Sequence, residues 1–349
     1  MVSAEKQRMW KNYWEKTNKQ PLVSITIPKA GVEEKQPPRY LEAFHGGDTY
    51  QQAADKIAAW YDTHEFLYGS IPYYALSFGS DDFAAYIGAD LKLADDGTTS
   101  WPNHILDSLE NVHIRFDPNG KWWTKTVEFY HVLRRTLGDD VMIAAPTLSA
   151  GLDGLVGLYN AQDLIITMID EPELVKEALA QINTAFTEIM KEVRRVFEFD
   201  KYGSINRHGM YVNGSIGVPQ CDFSCMISSE MFREFALDSI AHEMSELDYA
   251  EYHLDGPGAI HHLEDLCTLE KLHTVQWVAG AGNSQKQDWT WLYQKIVSLG
   301  KAVLTGGNTS SVLALQNVLH TKSAYHKVSC QTRDEAERFM EELEKIEKN

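Results

Sequence analysis

Cysteine, positive charge and long hydrophobic runs are all scarce in this sequence. Only four cysteines occur among 349 residues, which is too few for a disulfide scaffold and suits a reducing compartment. No apolar run reaches the roughly 18 residues that a membrane helix needs, and the N-terminal segment has no apolar core of signal-peptide length. We therefore expect a cytoplasmic protein with no membrane partner.

Basic residues are outnumbered, since 32 lysines and arginines face 50 aspartates and glutamates and the formal net charge is -18. Long-range repulsion at this charge disfavours nucleic acid and other polyanions as partners. No Pro/Ser-rich linker, low-complexity stretch or internal repeat divides the chain. Hydrophobic residues make up 44% of it, enough for one large core, so residues 1–349 are predicted to form a single domain.

Short apolar or β-branched runs alternate with stretches of three-to-four-residue apolar spacing, the pattern of repeated strand–helix units. The runs lie at 22–28, 72–78, 141–146, 209–214, 250–255, 274–280, 301–307 and 325–330. Eight strands are the number that closes a parallel barrel. The sequence therefore predicts the α/β class and a (β/α)8 TIM barrel with extra N-terminal and rim helices, in which residues 83–140 pass over one rim.

The longest helix is predicted to begin at Asp170, which would be its N-cap, with Pro172 in the first turn. An apolar stripe with helical spacing continues from there to Val193. This helix should pack on the outside of the barrel.

The fifth predicted strand carries the strongest candidate site. Period-two alternation puts Glu251, His253 and Asp255 on one face, and the Gly-Pro-Gly at 256–258 ends the strand, so Asp255 lies at the rim. Cys330 ends the eighth strand, and a His, Asp and Cys set suits zinc with the fourth position open for substrate. The alternative is a hydrogen-bonded histidine–carboxylate pair without a metal.

Other reactive side chains also follow predicted strands, where barrel enzymes have their active sites. Asp81 and Asp82 form a carboxylate pair suited to acid–base work, although one of them is expected to cap the following helix. Cys221 and Asp222 lie in the loop after the fourth strand, as a ligand or substrate contact, or as an ordinary turn. Asn308 follows two glycines that permit close approach of a ligand.

The order of YHLDG on strand five, TGGN on strand seven and a cysteine closing strand eight resembles the uroporphyrinogen decarboxylase superfamily, in particular its zinc-dependent corrinoid methyltransferases. The stretch CMISSEMFREFALDSIAHEM is similar to a helix of that superfamily. The resemblance implies a zinc held by His253 and Cys330, with Asp255 where the family has a cysteine, and Gly307 and Asn308 as its G-N motif. A carboxylate there makes zinc harder and more Lewis acidic.

The decarboxylase branch fits less well. Its arginine-rich N-terminal substrate motif is reduced to Arg39, and its polycarboxylate substrate would be repelled by this acidic chain. The segment FGSDDF does resemble the one that carries the essential aspartate of that branch, which Asp81 or Asp82 would match.

Three functions follow from the sequence. The first is transfer of a methyl group between a small methylated substrate or thiol and a corrinoid carried by a partner protein, assisted by zinc. The second is a metal-free decarboxylase or lyase, with Asp81 or Asp82 handling the proton and a mouth lined by His208, Tyr211 and Asn213. The third is ligand binding without turnover, by stacking on Trp277, Trp289, Trp291, Trp122 and Trp123. The oligomeric state is left open, with a homodimer as one outcome.

Overall fold

The structure is a computed structural model that describes residues 1–33, 47–94, 99–280, 282 and 287–348. Arg39, the one arginine of the segment compared with the N-terminal substrate motif, lies outside the described residues. Within the described part of the chain, no helix has the length and apolar character needed to cross a lipid bilayer.

The protein is a mixed α/β structure built on a seven-stranded, mostly parallel sheet. The strands are β1 (Leu22–Pro28), β2 (His64–Tyr68), β3 (Tyr73–Ala75), β4 (Asp90–Leu93), β5 (Ser100–Asn103), β6 (Met142–Ala144), β7 (Ser204–Ile205), β8 (Tyr211–Val212), β9 (Ile216–Gly217), β10 (Tyr249–Asp255), β11 (Leu272–Val278), β12 (Ala302–Asn308) and β13 (Ala324–Ser329). The central sheet has the order β2-β1-β13-β12-β11-β10-β9, and only the β1–β2 pair is antiparallel. Three two-stranded ribbons, β3–β6, β4–β5 and β7–β8, accompany it.

Seven of the predicted strand runs coincide with observed strands, namely β1, β3, β6, β10, β11, β12 and β13. The run at 209–214 does not form one strand of the sheet, because β8 turns back to pair antiparallel with β7. The turn between them is fixed by Asn206, whose side-chain oxygen accepts hydrogen bonds from the backbone amides of His208 and Met210, both at 3.0 Å. Gly209 supplies the positive φ, 80°, that the turn requires.

The helices are α1 (Ala4–Trp14), α2 (Tyr50–Tyr61), α3 (Asp82–Tyr86), α4 (Lys121–Leu137), α5 (Gly151–Val156), α6 (Ala161–Asp170), α7 (Pro172–Val196), α8 (Phe199–Tyr202), α9 (Ser229–Met231), α10 (Leu237–Ser245), α11 (Leu263–Cys267), α12 (Thr290–Ser298), α13 (Thr309–Leu319) and α14 (Arg333–Lys348). A π-helical turn, Phe232–Ala236, joins α9 to α10, and 3-10 helices span Asp222–Met226 and Pro257–His262.

The long helix α7 buries the predicted apolar stripe, including Ile182, Ile189 and Val193. Its start differs from the prediction, since Asp170 ends α6 and the N-cap of α7 is Glu171. The residue before a proline is pushed out of the helical region, and Glu171 has φ -138° and ψ 58° ahead of Pro172. The proline therefore separates two helices instead of continuing one.

Helix α1 covers the end of the sheet at which the parallel strands begin. Trp10 packs edge-on against Tyr325 with ring centroids 4.9 Å apart, and the hydroxyls of Tyr13 and Thr274 lie 2.8 Å apart. The indole of Trp14 donates a hydrogen bond to the carbonyl of Tyr211 at 2.7 Å. Because α1 closes this end, ligands have access to the opposite end, where the strands finish.

Candidate functional site

Strand β10 presents two different faces, as its alternation predicts. Tyr252 and Leu254 are each 1% exposed and belong to the main hydrophobic core. Glu251, His253 and Asp255 point to the other side, and Glu251 is fully buried there among polar side chains. Since one face of the strand packs on the core, the charged residues are directed together toward the same space.

Asp222 joins His253 and Asp255 in a group of three candidate metal ligands. One ligand atom from each residue lies within 4.8 Å of the other two. The chain segment before Asp222 is held against β10, because the amide of His253 donates to the carbonyl of Pro219 at 3.1 Å and Gln220 forms a bridge with His253. These contacts place Asp222 at the carboxyl end of β10.

Each residue of this group has a possible donor atom for which no hydrogen bond is found within the described part of the protein. One carboxylate oxygen of Asp222 and one of Asp255, the Oδ1 atom in each case, are buried without a hydrogen-bond partner. The Nδ1 atom of His253 is hydrogen-bonded to Oε1 of Gln276, which leaves Nε2 available. A buried oxygen without a partner is costly unless a ligand or ion satisfies it. The group therefore offers one imidazole nitrogen and two carboxylate oxygens to a cation.

Two further carboxyl groups surround this group. Asp153, half-buried on α5, accepts hydrogen bonds from the backbone amides of Asp222 and Phe223 at 2.9 and 3.0 Å. Burial raises the pKa of Asp153, and burial together with the charge of Asp153 raises the pKa of Asp222. Burial likewise raises the pKa of Asp255 and of Asp81. The site therefore gathers carboxyl groups whose ionisation is disfavoured, and a bound cation would relieve this cost.

Asp81 and Asp82 have different environments, although they are neighbours. Asp82 is fully buried and accepts hydrogen bonds from the amide of Phe78 at 2.9 Å and the hydroxyl of Ser77 at 2.6 Å, so it fixes the turn before α3. Burial raises the pKa of Asp82 to about 7. Asp81 lines a cleft of about 440 Å³ together with Asp153 and Asp222. Neither aspartate caps α3 through its side chain, in contrast to the prediction, because Asp81 at the N-cap position makes no capping hydrogen bond and Asp82 bonds to the preceding turn.

Arg207 supplies positive charge beside the carboxylates. Its guanidinium donates to Oε1 of Gln220 at 2.8 Å, and the amide of Gln220 donates to Asp222 at 3.2 Å. Burial lowers the pKa of His253 to about 4, and the charge of Arg207 adds to the effect. His253 is therefore neutral near pH 7, the form that binds metals.

His208 and Glu251 form a buried acid–imidazole pair close to His253. The Nδ1 atom of His208 lies 2.6 Å from Oε1 of Glu251, and Asn206 donates to the second carboxylate oxygen at 2.6 Å. Burial opposes ionisation of Glu251, but His208 and Arg207 outweigh it and hold its pKa below the ordinary value. The rings of His208 and His253 have centroids 6.4 Å apart. Glu251 therefore orients His208 next to the candidate ligands.

Cys330 is not in the group of candidate ligands, in contrast to the predicted His, Asp and Cys set. It continues the alternation of Val328 and packs with Val328 and Phe339 in a cluster on the helix-covered face of the sheet. Cys330 also lines a cavity of about 420 Å³ with Tyr325 and Lys327. Its thiol therefore lies outside the group of ligand atoms that includes His253.

Four predicted substrate contacts also have other positions. Trp277 lies on the core side of β11, packed edge-on against Trp289 with centroids 4.8 Å apart. Tyr211 and Asn213 line a cavity beside α1, at the end of the sheet remote from the site. Cys221 is a buried core thiol whose pKa burial raises well above the ordinary value.

Asn308, the fourth residue of TGGN, is the N-cap of α13. Its side-chain oxygen accepts the amide of Ser311 at 2.9 Å and the hydroxyl of Ser310 at 2.8 Å. These bonds give it a local structural role. Trp122 and Trp123 are buried on α4, so this tryptophan pair fills the core.

The sequence analysis did not single out Asp153, Arg207 or Gln220. It placed Glu251 only on the same strand face as His253 and Asp255. Asp153 follows the third predicted strand, and Arg207 and Gln220 flank the misassigned fourth strand. Their position after strands was the available signal, because such residues gather at the carboxyl end of a parallel sheet.

The chain matches no family model and no curated protein sequence. A function therefore has to be inferred from the chemistry of the site and from the motifs in the sequence.

Proposed function

We propose that the parallel strands β1, β10, β11, β12 and β13 of the central sheet and the short strands β3, β6 and β7 together form a (β/α)8 barrel with the site at its mouth. Two observations support this. The β3–β6 pair is parallel, as barrel neighbours are, and the strands of the main sheet from β10 to β13 and on to β1 follow chain order. The site residues come from the carboxyl ends of several strands, where enzymes with this fold have their active sites.

We propose that Asp222, His253 and Asp255 bind one divalent cation. The observation that carries this is the convergence of three donor atoms within 4.8 Å, two of them in residues with a buried, partnerless oxygen. One nitrogen and two oxygen donors fit a borderline or hard cation, with zinc acceptable and no thiolate present in the set. Gln276 fixes the orientation of the imidazole, as partners of metal-binding histidines do.

The reaction we propose is methyl transfer between a small methylated substrate or thiol and a corrinoid protein. This step rests on the resemblance of YHLDG and TGGN to the corrinoid methyltransferases. A bound cation would polarise the oxygen, nitrogen or sulfur that carries the methyl group. That atom gains a proton when the methyl group leaves, and Asp81 faces the cleft with a raised pKa that favours holding one. Glu251 orients His208 as a second group for proton transfer.

A metal-free decarboxylase or lyase is the second candidate, and one observation favours it. The pKa values of Asp81, Asp153, Asp222 and Asp255 are all raised, so these carboxyl groups can carry protons without help from a cation. Arg207, hydrogen-bonded only to neutral groups among the described residues, would then bind the carboxylate of the substrate.

Metal analysis of three matched variants separates the candidates. We expect about one divalent cation per chain in the wild type and in Cys330→Ala, and loss of the metal in Asp222→Asn and Asp255→Asn. Incubation with methylcobalamin and methyl acceptors should change the corrinoid spectrum, and His253→Ala should abolish the change. Metal retained by Asp255→Asn, or missing from every preparation, contradicts the cation site. Decarboxylation that survives chelation but not Asp81→Asn would establish the second candidate.

A further inference from the structure

A second cavity, of about 420 Å³, is lined by residues of β1, β2 and β13 and by the turn at Gly209. We call it the lysine chamber. Ser24 and Thr26 of β1 and Lys327 of β13 form its polar side, and Trp60, Phe66 and Tyr73 form an aromatic side. It has the size and the mixed lining of a small-molecule site.

Lys327 is the basic group of the lysine chamber. Its ammonium has two contacts among the described residues, the hydroxyl of Tyr73 at 3.4 Å and the ring of Tyr73, whose centroid is 5.9 Å away. No described carboxylate lies within ion-pair distance of it, whereas Lys56, Lys121 and Lys295 all pair with acids. In a chain of net charge -18, a half-buried ammonium without an acid partner marks a place where an anion is expected.

The aromatic side of the chamber is preorganised by contacts among its own rings. The rings of Trp60 and His64 stack with centroids 4.3 Å apart, and Phe66 meets Trp60 edge-on at 6.1 Å. The hydroxyls of Thr26 and Ser70, on the polar side of the chamber, are held in place by a hydrogen bond of 2.9 Å between them. Rings held in place bind a planar apolar body at little entropic cost.

The lysine chamber borders the candidate site through the turn that follows β7. Gly209 lines the chamber and is the neighbour of His208 in the chain. The hydroxyl of Tyr73 donates to the carbonyl of Arg207 at 3.0 Å. A methyl group on the α-carbon of Gly209 would lie 2.8 Å from the ring of Tyr73, so the turn and the chamber wall are in close contact. A molecule in the chamber is therefore in contact with the turn that carries His208.

We propose that the lysine chamber binds a small carboxylate with a flat apolar body, with the carboxylate on Lys327 and the body against Trp60 and Phe66. The proposal that this ligand is the substrate rests on the proposed function, since the ligand would be the molecule on which the neighbouring site acts. Binding itself requires neither the metal nor the corrinoid, so it is tested separately from that function.

The test is calorimetric titration of benzoate and of its neutral analogue benzamide into the full chain, stripped of metal by a chelator. We expect saturable binding of benzoate, at least about tenfold weaker binding in Lys327→Met, and recovery in Lys327→Arg. Lys322→Met, at an exposed position near the start of the same strand, is the matched control and should bind as the wild type does. Thermal unfolding of each variant checks that it is folded.

Three results would overturn the assignment. They are no saturable binding of benzoate to the wild type, equal binding of benzoate by Lys327→Met, and binding of benzamide as strong as that of benzoate. A failed metal analysis with intact benzoate binding would reject the cation site and leave the lysine chamber standing.

Discussion

Replacing Asp222 by asparagine should stabilise the metal-free protein at alkaline pH and destabilise the metal-loaded protein. Asparagine has nearly the same shape and keeps an oxygen to accept the hydrogen bond from Gln220. What the substitution removes is a negative charge within 4.8 Å of Asp255. The sign of its effect on the free energy of unfolding therefore reports whether the site is a cation site.

The expected change in the free energy of unfolding follows from the separation of the Asp222 and Asp255 ligand atoms. Two unit charges 4.8 Å apart repel by about 3 kcal/mol at an effective dielectric constant of about 20. Protonation of one carboxyl group relieves part of this cost, so we expect Asp222→Asn to gain about 1–3 kcal/mol at about pH 8 without metal. With metal at about 100 times its dissociation constant, the wild type gains about 2.7 kcal/mol that the variant lacks.

The pH dependence has a definite sign. The pKa of Asp222 is raised in the folded state, so its contribution to stability is most favourable below the pKa of unfolded aspartate and is lost as the pH rises through the folded pKa. The stability of the metal-free wild type should therefore fall between about pH 5 and about pH 8 more steeply than that of Asp222→Asn.

Urea unfolding in the presence of a chelator, followed by circular dichroism, measures these differences. Asp62→Asn is the matched control, because Asp62 is exposed and outside the site, and it should show no such pH dependence. Destabilisation by Asp222→Asn in chelated protein at about pH 8 would refute the electrostatic reasoning. Equal stability of the wild type with and without added metal would refute the cation site.

Two further predictions concern other groups. Glu251→Ala should lower the free energy of unfolding by about 3–5 kcal/mol. Glu251 is completely buried, and its loss leaves His208 and Asn206 without their hydrogen-bond partner. Urea unfolding measures the change, and a loss below about 1 kcal/mol would contradict this prediction. In native protein, iodoacetamide should alkylate Cys225, which is exposed, well before Cys330, which is buried. Peptide mass spectrometry measures the order of labelling, and faster labelling of Cys330 would contradict the burial of its thiol.

The positions of the strands and the orientation of β10 could be predicted because they depend on local pattern. Alternation in YHLD puts His253 and Asp255 together, and the following Gly-Pro-Gly ends the strand whatever the rest of the chain does. Period-two alternation could also have predicted the position of Cys330. Val328 and Cys330 are two residues apart and so share a face, and an apolar valine is expected to face the helices.

The partners of β10 could not be predicted, because they depend on distances between segments far apart in the chain. Asp222 becomes a candidate ligand only because the segment from Pro219 is held against His253. Asp153 comes near it from a helix about seventy residues earlier, through the backbone of Phe223. On β11, Gln276 and Trp277 are adjacent, and only the packing of Trp277 on Trp289 decides which of them faces the site.

The position of helix α1 also determines the order in which the molecule can be completed. Trp10, Tyr13 and Trp14 precede their partners Tyr325, Thr274 and Tyr211 by about 200 residues or more in the chain. Until those partners have been synthesised, the aromatic side chains of α1 have nothing native to pack against. The indoles of Trp10 and Trp14 should therefore become buried late in folding.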